Sequence, residues 1–235
     1  PSGTRLLPKP LHFRLDSAPA CASEHDSSDA AQGGDGVQAD TALAEKKRDE
    51  VKFRAAQQEI AVLNARAKAG EMVLAYADEA GFECVHPNRS AWTDRGQVHE
   101  IEATRGKRLN VIAAMLSTGE VLAAKLWQAT NGDAFVGFLK ALVDKVQGKP
   151  ITVILDNASI HKSKEIQPLV ELLKRRGLTL YFLPPYSPEL NRIERLWHKV
   201  KHTWLVPKCR DKQTLEADVE EIMGNLGFKY QFAFY

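Results

Sequence analysis

Cysteine is scarce in this chain. Cys21, Cys84 and Cys209 are scattered and odd in number, which excludes a disulfide framework and points to a reducing compartment. Long apolar runs are missing too: none approaches the roughly 18 residues of a membrane helix, so no membrane is implied. No secretory signal is visible, and the chain opens on Pro1 in place of methionine, as a fragment would. Excess charge of one sign is also absent. The 32 Lys and Arg against 30 Asp and Glu leave a net +2, so any attraction to a polyanion must come from local basic clusters. No internal repeat is present. What remains is ordinary for a soluble globular protein, with 44% hydrophobic and 26% charged residues, enough for one domain and an appendage.

Residues 1–45 form the first segment. From Ser17 to Asp40 it is mostly Ala, Ser, Asp, Gly and Gln, with too little apolar surface to offset its ordering entropy, and it reads as disordered. Gly33 to Gly36 lacks the flanking strand and the Gly-Lys-Ser ending of a phosphate loop. Residues 46–70 are densely charged helix formers ended by Gly70, a solvated helical linker. Residues 71–235 carry the main domain. Met72 to Ala77, Leu109 to Leu116, Val121 to Trp127, Ile151 to Leu155 and Leu178 to Leu183 read as strands, the second and third forming a hairpin. Asp133 to Val146, Lys162 to Arg176 and Pro188 to Trp204 read as helices, the last of them long and final. This order predicts an α/β fold, a mixed sheet flanked by helices.

Three carboxylates stand out. Asp78 and Asp156 fall where buried strands should emerge, the zone in which open α/β sheets bind ligands. Neighbouring carboxylates repel and cost stability unless a cation holds them. The third comes from Leu183-Pro184-Pro185-Tyr186-Ser187-Pro188-Glu189-Leu190-Asn191-Arg192-Ile193-Glu194-Arg195-Leu196-Trp197, a proline-stiffened loop opening into a helix. Glu189 at the helix start is explained by the helix dipole alone, whereas Glu194 lies further in and shares a face with Asn191 and Trp197.

Asp156-Asn157-Ala158-Ser159-Ile160-His161, followed by the Pro-Pro-Tyr-Ser-Pro-Glu-Leu-Asn motif and Ile193-Glu194, resembles the DDE transposases of the mariner-type superfamily, especially their bacterial insertion-sequence (IS630-like) branch. Asp78-Glu79-Ala80-Gly81-Phe82 and Trp92-Thr93-Asp94-Arg95-Gly96-Gln97 are similar to that branch as well. The resemblance runs from about Met72 onward. It implies a ribonuclease H-like catalytic fold in which Asp78, Asp156 and Glu194 are the catalytic, metal-binding triad. Two Mg²⁺ ions, with Mn²⁺ able to substitute, would activate water for DNA strand cleavage and then support strand transfer. The implied partners are double-stranded DNA at the element ends and at a target, with TA as the dinucleotide relatives favour, and a second copy of the chain on that DNA. The implied setting is the bacterial cytoplasm, at the nucleoid. Two departures from the family pattern are Arg192 in place of proline and a slightly long spacing of 37 residues between Asp156 and Glu194.

Supporting residues are less specific. Asn157, His161, Trp92, Arg95, Arg105, Lys107, Arg108, Arg192, Arg195, Lys199 and Lys201 are candidate DNA contacts. Each has a plainer alternative: a solvated basic face, a capping histidine, a core tryptophan. Trp197 and Trp204, seven apart, are expected to face the sheet. His198 and His202 have helical metal-ligand spacing but neither the following glutamate nor a third ligand that a zinc site needs. No paired helices with a tight turn are legible in residues 1 to 70, where relatives carry a helix-turn-helix module. A catalytically degenerate, transposase-derived DNA-binding protein is therefore the first rival. An Mg²⁺-binding phosphoacceptor domain is the second, and it leaves Glu194 without a role.

Overall fold

The computed structural model describes residues 48–84, 107–158, 161, 163–206 and 208–234. The expected disordered segment lies outside the described residues, as do Trp92, Arg95 and Arg105.

Five strands form one mixed sheet: β1 (Val73–Glu83), β2 (Arg108–Leu116), β3 (Val121–Leu126), β4 (Ile151–Leu155) and β5 (Leu178–Phe182), in the order β3-β2-β1-β4-β5. The first three run antiparallel as a meander, and β1, β4 and β5 are parallel. β2 and β3 join through a tight turn whose Gly119 adopts φ +87, a conformation that a side chain would strain. The helices are α1 (Glu50–Lys68), α2 (Gly132–Lys145), α3 (Gln167–Lys174), α4 (Ile193–Lys199) and α5 (Lys212–Gly224). Asp49, Asn131 and Asp211 cap α1, α2 and α5 by accepting from first-turn backbone N–H groups.

Side chains alternate across the sheet, so β1 feeds two cores. Leu74, Tyr76, Ala80 and Phe82 pack with Ile60 of α1, Ile193, Leu196 and Trp197 of α4, and Leu215, Val219 and Ile222 of α5. Val73, Ala75 and Ala77 pack on the other face with Phe135, Phe138 and Leu139 of α2 and Val170 and Leu173 of α3. Each large side chain withdrawn from water in this way contributes about 1.5–3 kcal/mol. The mixed sheet covered by helices is the ribonuclease H-like arrangement expected from the sequence.

Several elements differ from expectation. α1 is seated on the sheet: Ala56 and Ile60 are buried, and Asn64 donates to the Tyr76 hydroxyl at 3.0 Å. α3 starts at Gln167, not Lys162, because Pro168 fits the first turn of a helix, where its missing N–H leaves no bond unmade. The single long helix from Pro188 is three pieces. Pro188–Leu190 is a 3₁₀ turn, Asn191 is extended (φ −93, ψ 100), α4 comes next, and Val200–Trp204 widens into a π turn. Trp197 is buried as expected, whereas Trp204 is only partly buried and meets Tyr230 in a tilted ring contact at 5.2 Å. α5, not α4, is the last helix described. Its signals were present, a capping Asp211 followed by Leu215, Val219 and Ile222 at helical spacing.

Candidate active site

β1 is longer than the apolar run Met72 to Ala77 suggests, and Asp78 sits inside it. The antiparallel ladder to β2 carries β1 on to Glu83, pairing Asp78 with Ala113. On its other flank the partner leaves: the parallel ladder to β4 ends at Tyr76 and Ile154. Asp78 therefore emerges by loss of one neighbour, not by the end of its own strand. Extending that register by two residues sets position 78 opposite position 156. Asp156 stands just past β4, its carboxylate accepting from the Ala158 N–H at 3.1 Å.

The proline loop brings the third acid. Leu183 donates its N–H to the Leu155 carbonyl at 2.9 Å, tying the loop to the end of β4. Pro184, Pro185 and Pro188 stiffen the loop, and Tyr186 between them is held at φ +59, a left-handed conformation rare for a bulky residue. Asn191, 3% exposed, donates Nδ2 to the Ala77 carbonyl at 3.0 Å, one residue before Asp78. That bond anchors the start of α4 to β1. Glu194 lies in the first turn of α4, so the helix dipole that the sequence assigned to Glu189 acts on Glu194 as well. Together these segments form a cleft of about 380 Å³ whose lining includes Asp78, Asp156 and Glu194 as well as Ala158, Leu183, Pro184, Pro185 and Tyr186. No lysine or arginine is among the described residues lining it.

The acids perturb one another. Burial, then the charges of Glu194, Glu79 and Asp156, push the Asp78 carboxyl up to about 7, against a hydrogen bond from the Glu79 N–H. Burial raises Glu194 as well; Lys201 works against this and Asp156 adds to it. Asp156 goes the other way, lowered by its hydrogen bond with His161 in spite of burial. Burial opposes the charge on His161, yet Asp156 and Glu79 outweigh it and lift the imidazole to about 9. Three mutually repelling carboxylates, hard oxygen donors only, are what a divalent cation such as Mg²⁺ or Mn²⁺ relieves. Asn191 adds a buried Oδ1 that has no hydrogen-bond partner. The donor set thus fits such an ion, although among the described residues no three His, Cys, Asp or Glu side chains are closed up to grip one as they stand.

The other candidates are dispersed. Asn157 is exposed and lines the cleft. His161 is 2% exposed with both ring nitrogens against carboxylates, so a DNA phosphate has no access to it. Arg192 and Lys199 donate to the C-terminal carbonyls of Phe234 (2.6 Å) and Gln231 (3.1 Å). Those two cations hold the chain's own backbone. Arg195 is exposed, and Lys201 lies 5.9 Å over the Phe82 ring. Lys107 and Arg108 are exposed at the start of β2, with the Arg108 guanidinium over Gly81, where a Cβ would collide with it. The His198 and His202 rings lie 4.7 Å apart and tilted by 39°, with no third ligand among the described residues. Sequence reasoning missed two residues with evident roles: Asn191 as an anchor and Glu79 as a partner of His161. Both sit inside the motifs already quoted, so a signal was present, but their partners are 114 and 82 positions away in sequence.

Residues 73–216 match the family model described as DDE superfamily endonuclease. An "Insertion element IS630 uncharacterized 39 kDa protein" of Shigella sonnei is 28% identical over 130 residues, 54% of this chain and 37% of that protein. "Uncharacterized protein y4pE/y4sA" of Sinorhizobium fredii is 36% identical over 58 residues, 25% of this chain and 38% of that one. Among solved structures, the Mos1 mariner paired end complex with Mn superposes with a TM-score of 0.53 at 17% identity, over 75% of this chain and 56% of that chain. The Mos1 strand transfer complex gives 0.53 at 18% identity, over 75% and 55%. The chain spans little more than a third of these curated relatives and just over half of these solved chains. The structural likeness establishes the fold.

Proposed function

The chain belongs to the DDE superfamily of endonucleases, and from that premise we propose that it is the catalytic domain of an insertion-sequence DNA transposase. It cleaves DNA strands with divalent metal and joins the freed 3′ ends to a target. The observation that carries this reading is the convergence of Asp78, Asp156 and Glu194 in one cleft, where burial and neighbouring acids raise the Asp78 and Glu194 carboxyls.

In this reading the three carboxylates hold two Mg²⁺ ions, or Mn²⁺ in their place. Held by Asp78, Asp156 and Glu194, such ions would supply a lowered pKa for an attacking water and positive charge against the leaving oxygen. The chain's own part is placement. Asp78 and Asp156 each follow the last pair of the β1–β4 ladder by two residues, and Asn191 ties the start of α4, which carries Glu194, to Ala77 beside Asp78. Leu183, Pro184, Pro185 and Tyr186 give the cleft an apolar lining beside the carboxylates, against which the scissile phosphate would lie. The partner is double-stranded DNA, engaged as element ends and target by a dimer of the protein. Arg195, Lys201, Lys107 and Arg108 neutralise its backbone.

A nicking assay with the purified chain, Mg²⁺ or Mn²⁺ and DNA carrying terminal repeats tests this. Asp156→Asn and Glu194→Gln should each lower cleavage by at least about 100-fold, beyond the loss expected for a residue that merely orients a ligand. Parent-like cleavage by either variant would show the triad assignment to be wrong.

A further inference from the structure

Glu79 comes directly after Asp78 along β1, and strand alternation turns it to the opposite face, the side on which Phe135 of α2 is packed. His161 occupies that side. Its ring is buried and stacked on Phe135, with centroids 4.4 Å apart and planes inclined by 30°. Nδ1 lies 3.2 Å from Asp156 Oδ1, and Nε2 lies 3.4 Å from Glu79 Oε1. One imidazole thus spans β1 and the segment after β4, across the gap that opens once their ladder ends at Tyr76 and Ile154. No backbone pairing between β1 and the chain after Leu155 crosses that gap among the described residues. A flat ring clamped on an aromatic face has little freedom to turn, so its two nitrogens set where the two carboxylates rest. At metal centres, such outer hydrogen bonds orient the ligand and account for much of the affinity.

We propose that His161 and Glu79 form a bridge that holds the Asp156 carboxylate in its ion-binding orientation, with His161 as the positioning residue and Glu79 as its anchor. This rests on the reading of Asp78, Asp156 and Glu194 as cation ligands. Glu79 touches neither ion nor DNA in this scheme: it acts on Asp156 through the ring, and its charge, which also bears on Asp78, is removed equally in Glu79→Ala and Glu79→Gln. The same bridge couples the two strands that carry the first two acids, because Glu79 is the neighbour of Asp78.

The test is direct Mn²⁺ binding to the full chain, read from the paramagnetic resonance signal of free Mn²⁺, together with thermal melting. Glu79→Ala and His161→Ala should each weaken Mn²⁺ binding by about 10–100-fold. Glu79→Gln keeps an acceptor oxygen and should recover most of that loss. The double variant should bind no more weakly than the weaker single one, since both residues act through one carboxylate. Parent affinity in Glu79→Ala, or losses that multiply in the double variant, would overturn the bridge. Should His161→Ala fail to fold, Glu79→Ala against Glu79→Gln decides, because the Glu79 side chain is 25% exposed and its truncation leaves the core intact. Asp156→Asn separates the two claims. Parent-like Mn²⁺ binding by that variant removes the metal reading and the bridge with it. Weak binding by Asp156→Asn alongside parent-like binding by Glu79→Ala removes the bridge alone.

Discussion

Asp78 is where opposing demands on a single side chain are sharpest. Its carboxyl, ordinarily near 3.8, is held at about 7 in the folded chain, so the folded state keeps a proton that the unfolded chain has released. Stability contributed at that site therefore falls as pH rises between those values. His161 acts in the next window: raised from 6.5 to about 9, its stabilising share is complete below the lower value and is lost as pH rises through the upper one. Asp156, held below its ordinary value, has its stabilising share in full above about pH 4 and loses it in acid. The metal-free protein should accordingly melt at progressively lower temperature from about pH 5 to about pH 9. Asp78→Asn should melt higher than the parent near neutral pH in chelator, by a few degrees, at ~2–4 °C per kcal/mol for a chain of this size. Added Mg²⁺ should narrow that difference by stabilising the parent. Melts across pH with and without metal check all three statements. The three acids stood out in the sequence because apolar runs lead into Asp78 and Asp156 and a proline-led helix carries Glu194, although β1 runs on past Asp78. The environment of His161 was not, since Phe135 and Glu79, which bury it, are remote in sequence.

Between the acids stand elements whose boundaries matter more than their identities. The five strands were legible from their apolar runs, but the length of β1 was not, because it depends on which neighbour stays and which leaves. The helix after the proline loop was legible as a helix. Its break at Asn191 was not, because the break is set by a hydrogen bond to Ala77 across the molecule. That bond yields a prediction. Asn191→Ala leaves the Ala77 carbonyl buried and unpaired, at a cost of about 1–3 kcal/mol. It also unties the start of α4, so single-turnover cleavage should fall while duplex binding stays at the parent level. Denaturant unfolding and a paired binding and cleavage measurement check it. Loss of binding in step with cleavage would place Asn191 at the DNA instead.

For the molecule as a whole, the near-neutral net charge hides a division of labour among its cations. Arg192 and Lys199 are committed to the C-terminal carbonyls, while Arg195 is exposed and Lys201 lies over the Phe82 ring with its charge acting on Glu194. Duplex binding followed by fluorescence anisotropy at several salt concentrations should reveal this. Arg195→Ala and Lys201→Ala should each reduce the salt slope by about 1, the signature of one lost phosphate contact. Arg192→Ala and Lys199→Ala should leave the slope near the parent and lower the melting temperature. Composition could indicate neither group, because it counts charges without showing which are already engaged. The central claim is that two strands and one helix deliver three carboxylates to a common divalent cation site. Anomalous scattering from a crystal of this protein grown with Mn²⁺ tests that most directly. The predicted result is a peak in the cleft, bounded by Asp78, Asp156 and Glu194. A cleft without a peak at saturating Mn²⁺, or a peak elsewhere on the molecule alone, would contradict it.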